Sequence, residues 1–187
     1  MSLLPLYRLA WIIIIALLGS QPGLAATNSQ AASCQGCHGV SGNSQTPEYP
    51  SLAGQKALYI ESQLNAFKSG RRSNAVMQGL VANLSKKEIT ELAIYFSKLS
   101  PKSAGGSHAT LVSKGKTKAS MCMGCHGRNA QGQGGFPRLA GQQPKYLKKQ
   151  LMDFKQGRRK GGPMNYITKS LSESDIEALA AYLGSLN

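Results

Sequence analysis

"CQGCH" at Cys34–His38 and "CMGCH" at Cys122–His126 decide how this chain must fold. The two motifs take all four cysteines of the 187 residues. C-x-x-C-H is the attachment signature of c-type haem. Two cysteines three positions apart on one helical turn can both form thioethers with the haem side groups, and the next residue projects its imidazole onto the iron. The pattern therefore implies two covalently attached haem c groups, held by Cys34, Cys37, Cys122 and Cys125, with His38 and His126 on the irons. A redox-active disulfide would use C-x-x-C without the histidine and would sit beside a βαβ pattern, which this chain lacks. A zinc site would have to join pairs 88 residues apart.

Outward from these motifs the chain repeats itself. Residues 49–99 align without a gap on residues 136–186, with 21 identities in 51 positions. The shared words include "LAGQ" and "GRR". The cysteine motifs match at an offset one residue larger, so the loop after the histidine is one residue shorter in the second copy. Two copies are too few for a solenoid. They read as a tandem duplication, with the Pro/Gly/Ser-rich "SPKSAGGS" at Ser100–Ser107 as the joint. The expected division is a leader at 1–26, a first domain at 27–100, a linker at 101–107 and a second domain at 108–187.

Each copy reads as all-α, with no alternating strand pattern. Ile60, Leu64 and Phe67, matched by Leu147, Leu151 and Phe154, share one helix face. Ser85 with Glu88, and Ser172 with Asp175, stand at capping-box spacing before amphipathic C-terminal helices. The apolar residues are too few for an independent core of this size, so the haem is expected to complete it.

The first residues read as a secretory leader: Arg8, then the apolar "LAWIIIIALL" at Leu9–Leu18, then small residues for cleavage after Ala25 or Ala26. The apolar run is shorter than the roughly 20 residues that span a bilayer. Export to the periplasm is the expectation, with a retained N-terminal anchor as the alternative. The net charge is +14. Residues 27–102 carry eight Lys/Arg against four acids, and residues 103–187 carry thirteen against four. Such a field suits redox partners with acidic docking surfaces, or an anionic membrane surface. Nucleic acid is disfavoured, because export and the lack of a binding motif count against it. "GRRKGG" at Gly157–Gly162 reads as a solvated loop, as a docking edge, or as part of the haem surroundings. The glycines of "NAQGQGG" follow a haem motif rather than a strand, so a loop near the haem is expected rather than a nucleotide site.

An electron carrier needs a sixth iron ligand. The candidates are Met77, Met121, Met123, Met152, Met164 and His108, and only Met77 and Met164 occupy equivalent positions in the repeats. Met152 reads as core filler, Met121 and Met123 as packing or surface, and His108 as solvated surface.

With these residues in view, the chain resembles the cytochrome c4 family, on the two motifs, the duplicated "LAGQ", "F-K-x-G-R-R" at Phe67–Arg72 and Phe154–Arg159, and the late methionines. The resemblance implies two tandem class I cytochrome c domains related by a pseudo-twofold axis. It implies His38 with Met77 on the first iron and His126 with Met164 on the second. It further implies that Pro50 and Pro137 offer their carbonyls to the histidine Nδ1 protons. Two differences between the copies carry expectations of their own. Few residues precede Cys34 after the cleavage point, so the first N-terminal helix should be short or absent. Val76 stands before Met77 where Pro163 stands before Met164, so the first distal loop should be looser.

Histidine and methionine together favour ferrous haem and leave no open iron position. The expected function is a periplasmic one-electron carrier between membrane quinol oxidation and a terminal oxidase or reductase. The alternatives are an electron-accepting subunit of a periplasmic dehydrogenase and, against the paired methionines, a dihaem peroxidase or sulfur-compound oxidase.

Overall fold

The computed structural model describes residues 22–105 and 108–187, the first seven of them as backbone alone. The apolar run of the leader and Gly106 and Ser107 of the joint lie outside the described residues. The architecture is helical, with one isolated β-bridge between Gln133 and Phe136 among the described residues. The first copy comprises α1 (Pro22–His38), a 3₁₀ turn (Val40–Gly42), α2 (Ala57–Lys68), α3 (Ala75–Val81) and α4 (Lys86–Lys98). The second comprises α5 (Ala109–Lys118), α6 (Ser120–His126), α7 (Pro144–Lys155), α8 (Pro163–Lys169) and α9 (Glu173–Ser185). No described helix is long and apolar enough to cross a membrane.

Each copy is built by packing its N-terminal helix and its middle helix against the C-terminal one. Ile60, Leu92, Ala93 and Phe96 close around Ala31 in the first copy. In the second, Leu147, Ala180 and Leu183 form one cluster, and Ile176 with Leu179 forms another under Ala119. Of the helix faces read from spacing, Ile60, Phe67 and Leu147 are buried and Leu64, Leu151 and Phe154 are half-buried, while α7 also buries Gln150 and Asp153. Both C-terminal helices begin with complete capping boxes, Ser85 with Glu88 and Ser172 with Asp175.

In the uncut chain α1 runs 17 residues from Pro22 into the cysteine motif. The expectation of a short first helix concerns the chain cut after Ala26, and such a cut would leave the helix beginning at Thr27. The stretch "LAATNSQAAS" is rich in alanine, the strongest helix former. The joint also does more than connect. Lys102 N–H donates to Asn43 Oδ1 in the first copy, while Ser103 Oγ and Ala104 N–H donate to Gly184 and Gly141 carbonyls in the second.

The repeated "LAGQ" shows why its letters recur. Ala53 and Ala140 are buried. Leu52 and Ala53 N–H both donate to Gly42 O, and Leu139 and Ala140 N–H both donate to Ala130 O. Gly54 and Gly141 take φ of +64° and +71°, where a side chain is strained, and a Cβ on Gly54 would meet the Pro101 ring at 2.8 Å. The glutamines cross to the opposite copy, as described below.

Candidate haem sites and the interface between them

In both copies the cysteines and the histidine occupy the C-terminal turns of a helix, α1 or α6, so the three side chains leave neighbouring positions of one turn. Cys37 and Cys125 are exposed, Cys34 and Cys122 are half-buried, and none is in a disulfide. Burial pushes the Cys34 and Cys122 thiols above their ordinary value. Among the described residues no three His, Cys, Asp or Glu side chains gather as a metal cluster, so the two C-x-x-C pairs are not joined into one site.

The histidines are fixed identically. His38 Nδ1 lies 2.8 Å from Pro50 O, and His126 Nδ1 lies 2.9 Å from Pro137 O. A carbonyl only accepts, so each Nδ1 carries the proton and each Nε2 keeps its lone pair. Burial holds both imidazoles below the usual histidine pKa, against the opposing effect of the proline carbonyls. Neutral, oriented and presenting Nε2 is the state in which histidine binds a metal. Tyr49 and Phe136 place rings 6.5 and 6.2 Å from their respective histidines.

Met77 and Met164, both half-buried, fall in the first turns of α3 and α8. The other candidates sort as their positions suggested: His108 is exposed at the N-cap of α5, Met121 is exposed, and Met123 and Met152 pack against the core of the second copy. The two distal loops are tied differently. Asn74 caps α3 by accepting from Met77 N–H at 2.9 Å. In the second copy Asn165 accepts from Gly161 N–H and donates to Phe154 and Arg159 carbonyls, each at 2.7 Å, and Thr168 Oγ1 donates to Met164 O.

The second arginine of each "GRR" does not sit in a solvated loop or at a docking edge. Arg159 is buried and Arg72 is half-buried, each stacked on its own copy's phenylalanine, Phe154 or Phe67. Arg72 donates to Gln63 of its own copy and to Tyr146 and Gln150 of the other. Arg159 donates to Gln150, and across the interface to Tyr59 and Gln63. Every member has its counterpart in the other copy, which is a pseudo-twofold axis written in hydrogen bonds. Sequence reading missed this cluster; the signal was that tyrosine, glutamine and arginine recur together at 59, 63 and 72 and at 146, 150 and 159.

The donor set fits haem. Two unpaired thiols and an imidazole with free Nε2 match two thioethers and an axial bond. The two guanidiniums have neutral partners and no ion pair among the described residues, and buried cations favour anionic company such as propionates.

Comparison with known proteins agrees with this geometry. The cytochrome c family model matches residues 25–100 and again 112–187. Cytochrome c4 of Pseudomonas aeruginosa is 37% identical, the match covering 87% of this chain and 88% of that protein. A thiosulfate dehydrogenase electron acceptor of Thiomonas intermedia is 35% identical over 85% of this chain and 81% of its own. The crystal structure of reduced recombinant cytochrome c4 from Pseudomonas stutzeri superposes with a TM-score of 0.80 at 34% identity, covering 87% of this chain and 98% of that one. The duplicated fold, the paired C-x-x-C-H helices and these likenesses together place the chain in the cytochrome c4 family, as an electron-transfer protein with two covalent haem c groups.

Proposed function

We propose that this dihaem cytochrome carries single electrons in the periplasm between membrane quinol oxidation and a terminal oxidase or reductase. The observation that supports it best is the pair of matched histidines, each with Nδ1 committed to a proline carbonyl and Nε2 free. On this reading Cys34, Cys37, Cys122 and Cys125 hold the two haems. His38 and Met77 are the axial ligands of the first iron, and His126 and Met164 those of the second. Pro50 and Pro137 hold the histidine rings, and the functional units are residues 27–100 and 108–187 with 101–107 as the joint. Haem, when bound, would supply a one-electron couple. The chain's own work is to bury that group, fix its ligands and present a docking surface.

The second unit carries most of the positive charge, so partners with acidic faces should dock there with salt-sensitive rates, and an anionic membrane surface would be met the same way. The likeness to a thiosulfate dehydrogenase electron acceptor favours one further reading, a dedicated accepting subunit of a periplasmic dehydrogenase. Co-purification with such an enzyme from the native periplasm would move that reading to the front.

The test is expression in a periplasm competent for cytochrome c maturation, followed by intact mass and ferric spectrum. The expected product is the chain cut near Ala26 plus two haems, with a full-strength methionine-to-iron charge-transfer band. A mass with fewer than two haems overturns the attachment residues. Two haems with half the band overturns one methionine assignment and opens an iron to substrate.

A further inference from the structure

The glutamine of each "LAGQ" reaches across the interface to the backbone N–H and C=O of a single residue. Gln142 Oε1 accepts from Ser51 N–H at 2.7 Å, and Gln142 Nε2 donates to Ser51 O at 2.9 Å. In mirror fashion, Gln55 Oε1 accepts from Arg138 N–H at 2.7 Å and Gln55 Nε2 donates to Arg138 O at 2.9 Å. Both glutamines are 6% exposed. Each Oε1 also accepts the N–H of the following residue, Gln143 or Lys56, at 3.0 Å. Two N–H groups at one end and a carbonyl at the other fix which end of each amide is oxygen.

The peptide they grip matters. The N–H of Ser51 and the carbonyl of Pro50 belong to one planar, resonant unit. That carbonyl accepts the Nδ1 proton of His38. The chain of contacts is therefore His38 Nδ1–H to Pro50 C=O, then Ser51 N–H to Gln142 Oε1, and equivalently His126 to Pro137, then Arg138 to Gln55. An acceptor on the N–H of an amide pushes electron density onto its oxygen, and successive bonds in such a chain strengthen one another. A stronger bond at Nδ1 makes Nε2 a better donor to a metal.

We propose that Gln142 and Gln55 are positioning residues that set the donor strength of the axial histidine in the opposite domain, so that each domain tunes its neighbour's haem through the docked interface. The inference rests on the reading of His38 and His126 as iron ligands. It gives the interface a role beyond holding the domains together: separating them would take the glutamine acceptors away from Ser51 N–H and Arg138 N–H.

The structure supplies its own control. Gln143, next to Gln142, is also buried and also crosses the interface, but its Nε2 donates to Ser44 O at 2.6 Å, away from the histidine peptide. The experiment is a redox titration of the holoprotein with the two haems resolved by NMR, together with the Nδ1–H resonances of both axial histidines. In Gln142→Ala the oxidised-to-reduced ratio of the first haem at a fixed potential should fall several-fold, where tenfold corresponds to 59 mV for one electron. The His38 Nδ1–H resonance should move upfield, with the second haem unchanged. Gln55→Ala should do the same to the second haem alone, and Gln143→Ala to neither. Gln142→Glu, which keeps an acceptor for Ser51 N–H, should shift the first haem the opposite way to alanine. Equal movement of both haems, equal effects from Gln142→Ala and Gln143→Ala, or shifts of one sign from alanine and glutamate would each overturn the proposal. Failure of the underlying reading is visible separately, as wild-type histidine rings without iron-shifted resonances.

Discussion

The two copies share one histidine geometry but build the helix that delivers it in different ways. In the first, α1 runs unbroken from Pro22 into the cysteine motif. In the second, α5 and α6 meet at the buried Ala119, and α5 crosses α9 so closely at Gly115 that a Cβ there would lie 2.0 Å from Ala178 O and 2.6 Å from Tyr182 Cβ. What repeats faithfully is what faces the other copy or the histidine: "LAGQ", the Tyr/Gln/Arg set, the two prolines. The C-terminal helix cores repeat too, as Ile89, Leu92 and Ala93 match Ile176, Leu179 and Ala180, whereas the N-terminal helix varies. A duplicated chain keeps its contacts across the axis in step, because a change in one copy is felt by both.

The sharpest way to break the comparison is Gly115→Val. No flexible side-chain end is available to move aside, since the nearest atom is backbone, and overpacking at such a crossing costs about 3 kcal/mol. Calorimetry should then resolve a second-domain transition well below the first, by roughly 10 °C or more at 4–8 °C per kcal/mol for domains of this size. A single shifted transition would mean that the interface, not the helix crossing, governs unfolding.

The distal loops come next. Asn165 makes three hydrogen bonds that close the loop before Met164, so Asn165→Ala should cost about 3 kcal/mol at roughly 1 kcal/mol each. Asn74→Ala removes one cap bond and should cost about 1 kcal/mol. Urea unfolding checks the energies, and the methionine band checks the function. In the wild type the loop with the single cap should open first on warming, losing half the band before any loss of helix. Simultaneous loss of the whole band would show that the two loops are equally held.

Much of this was legible before the structure. The C-x-x-C-H pairs, Met77 and Met164 at matching positions, and the capping boxes are local patterns, and a local pattern carries its own geometry. Ile60, Leu92 and Phe96 follow helical spacing into the core. The interface was not legible, because Gln55, Gln63 and Arg72 look like ordinary polar surface until a second domain covers them. Only their repetition at equal offsets hinted at a shared task. The extension of α1 through Pro22–Ala26 follows from the helix propensity of an alanine-rich stretch, which a count from the cleavage point does not contain.

A smaller effect sharpens the comparison through identity rather than difference. Ser85 Oγ and Ser172 Oγ accept from the third residue of their helices at 3.2 and 3.1 Å. Ser85→Ala and Ser172→Ala should each cost about 1 kcal/mol, and denaturant midpoints should fall by the same amount. Unequal losses would show that the N-terminal helices, which differ, share in the cap.

They do touch it, and this gives the smallest and most specific test. The acid of each capping box also holds the N-terminal helix of its copy. Gln30 Nε2 donates to Glu88, while at the matching position Lys118 Nζ pairs with Asp175 at 3.0 Å. Lys118, then the Ser172 cap, holds the Asp175 carboxyl down to about 2, and the Ser85 cap, then Gln30, lowers Glu88. A free aspartate titrates near 3.9, so the stabilisation from Asp175 is complete above about pH 4 and is lost as pH falls through about 2. Lys118→Gln makes the second copy like the first: the Asp175 carboxyl should titrate at higher pH by carbon NMR, and its response to added salt should shrink, because an exposed charge pair is screened where a neutral hydrogen bond is not. Gln30→Lys should do the reverse to Glu88. If Asp175 titrates unchanged in Lys118→Gln, the cap alone depresses it and the tie between α5 and α9 is packing at Gly115, not charge.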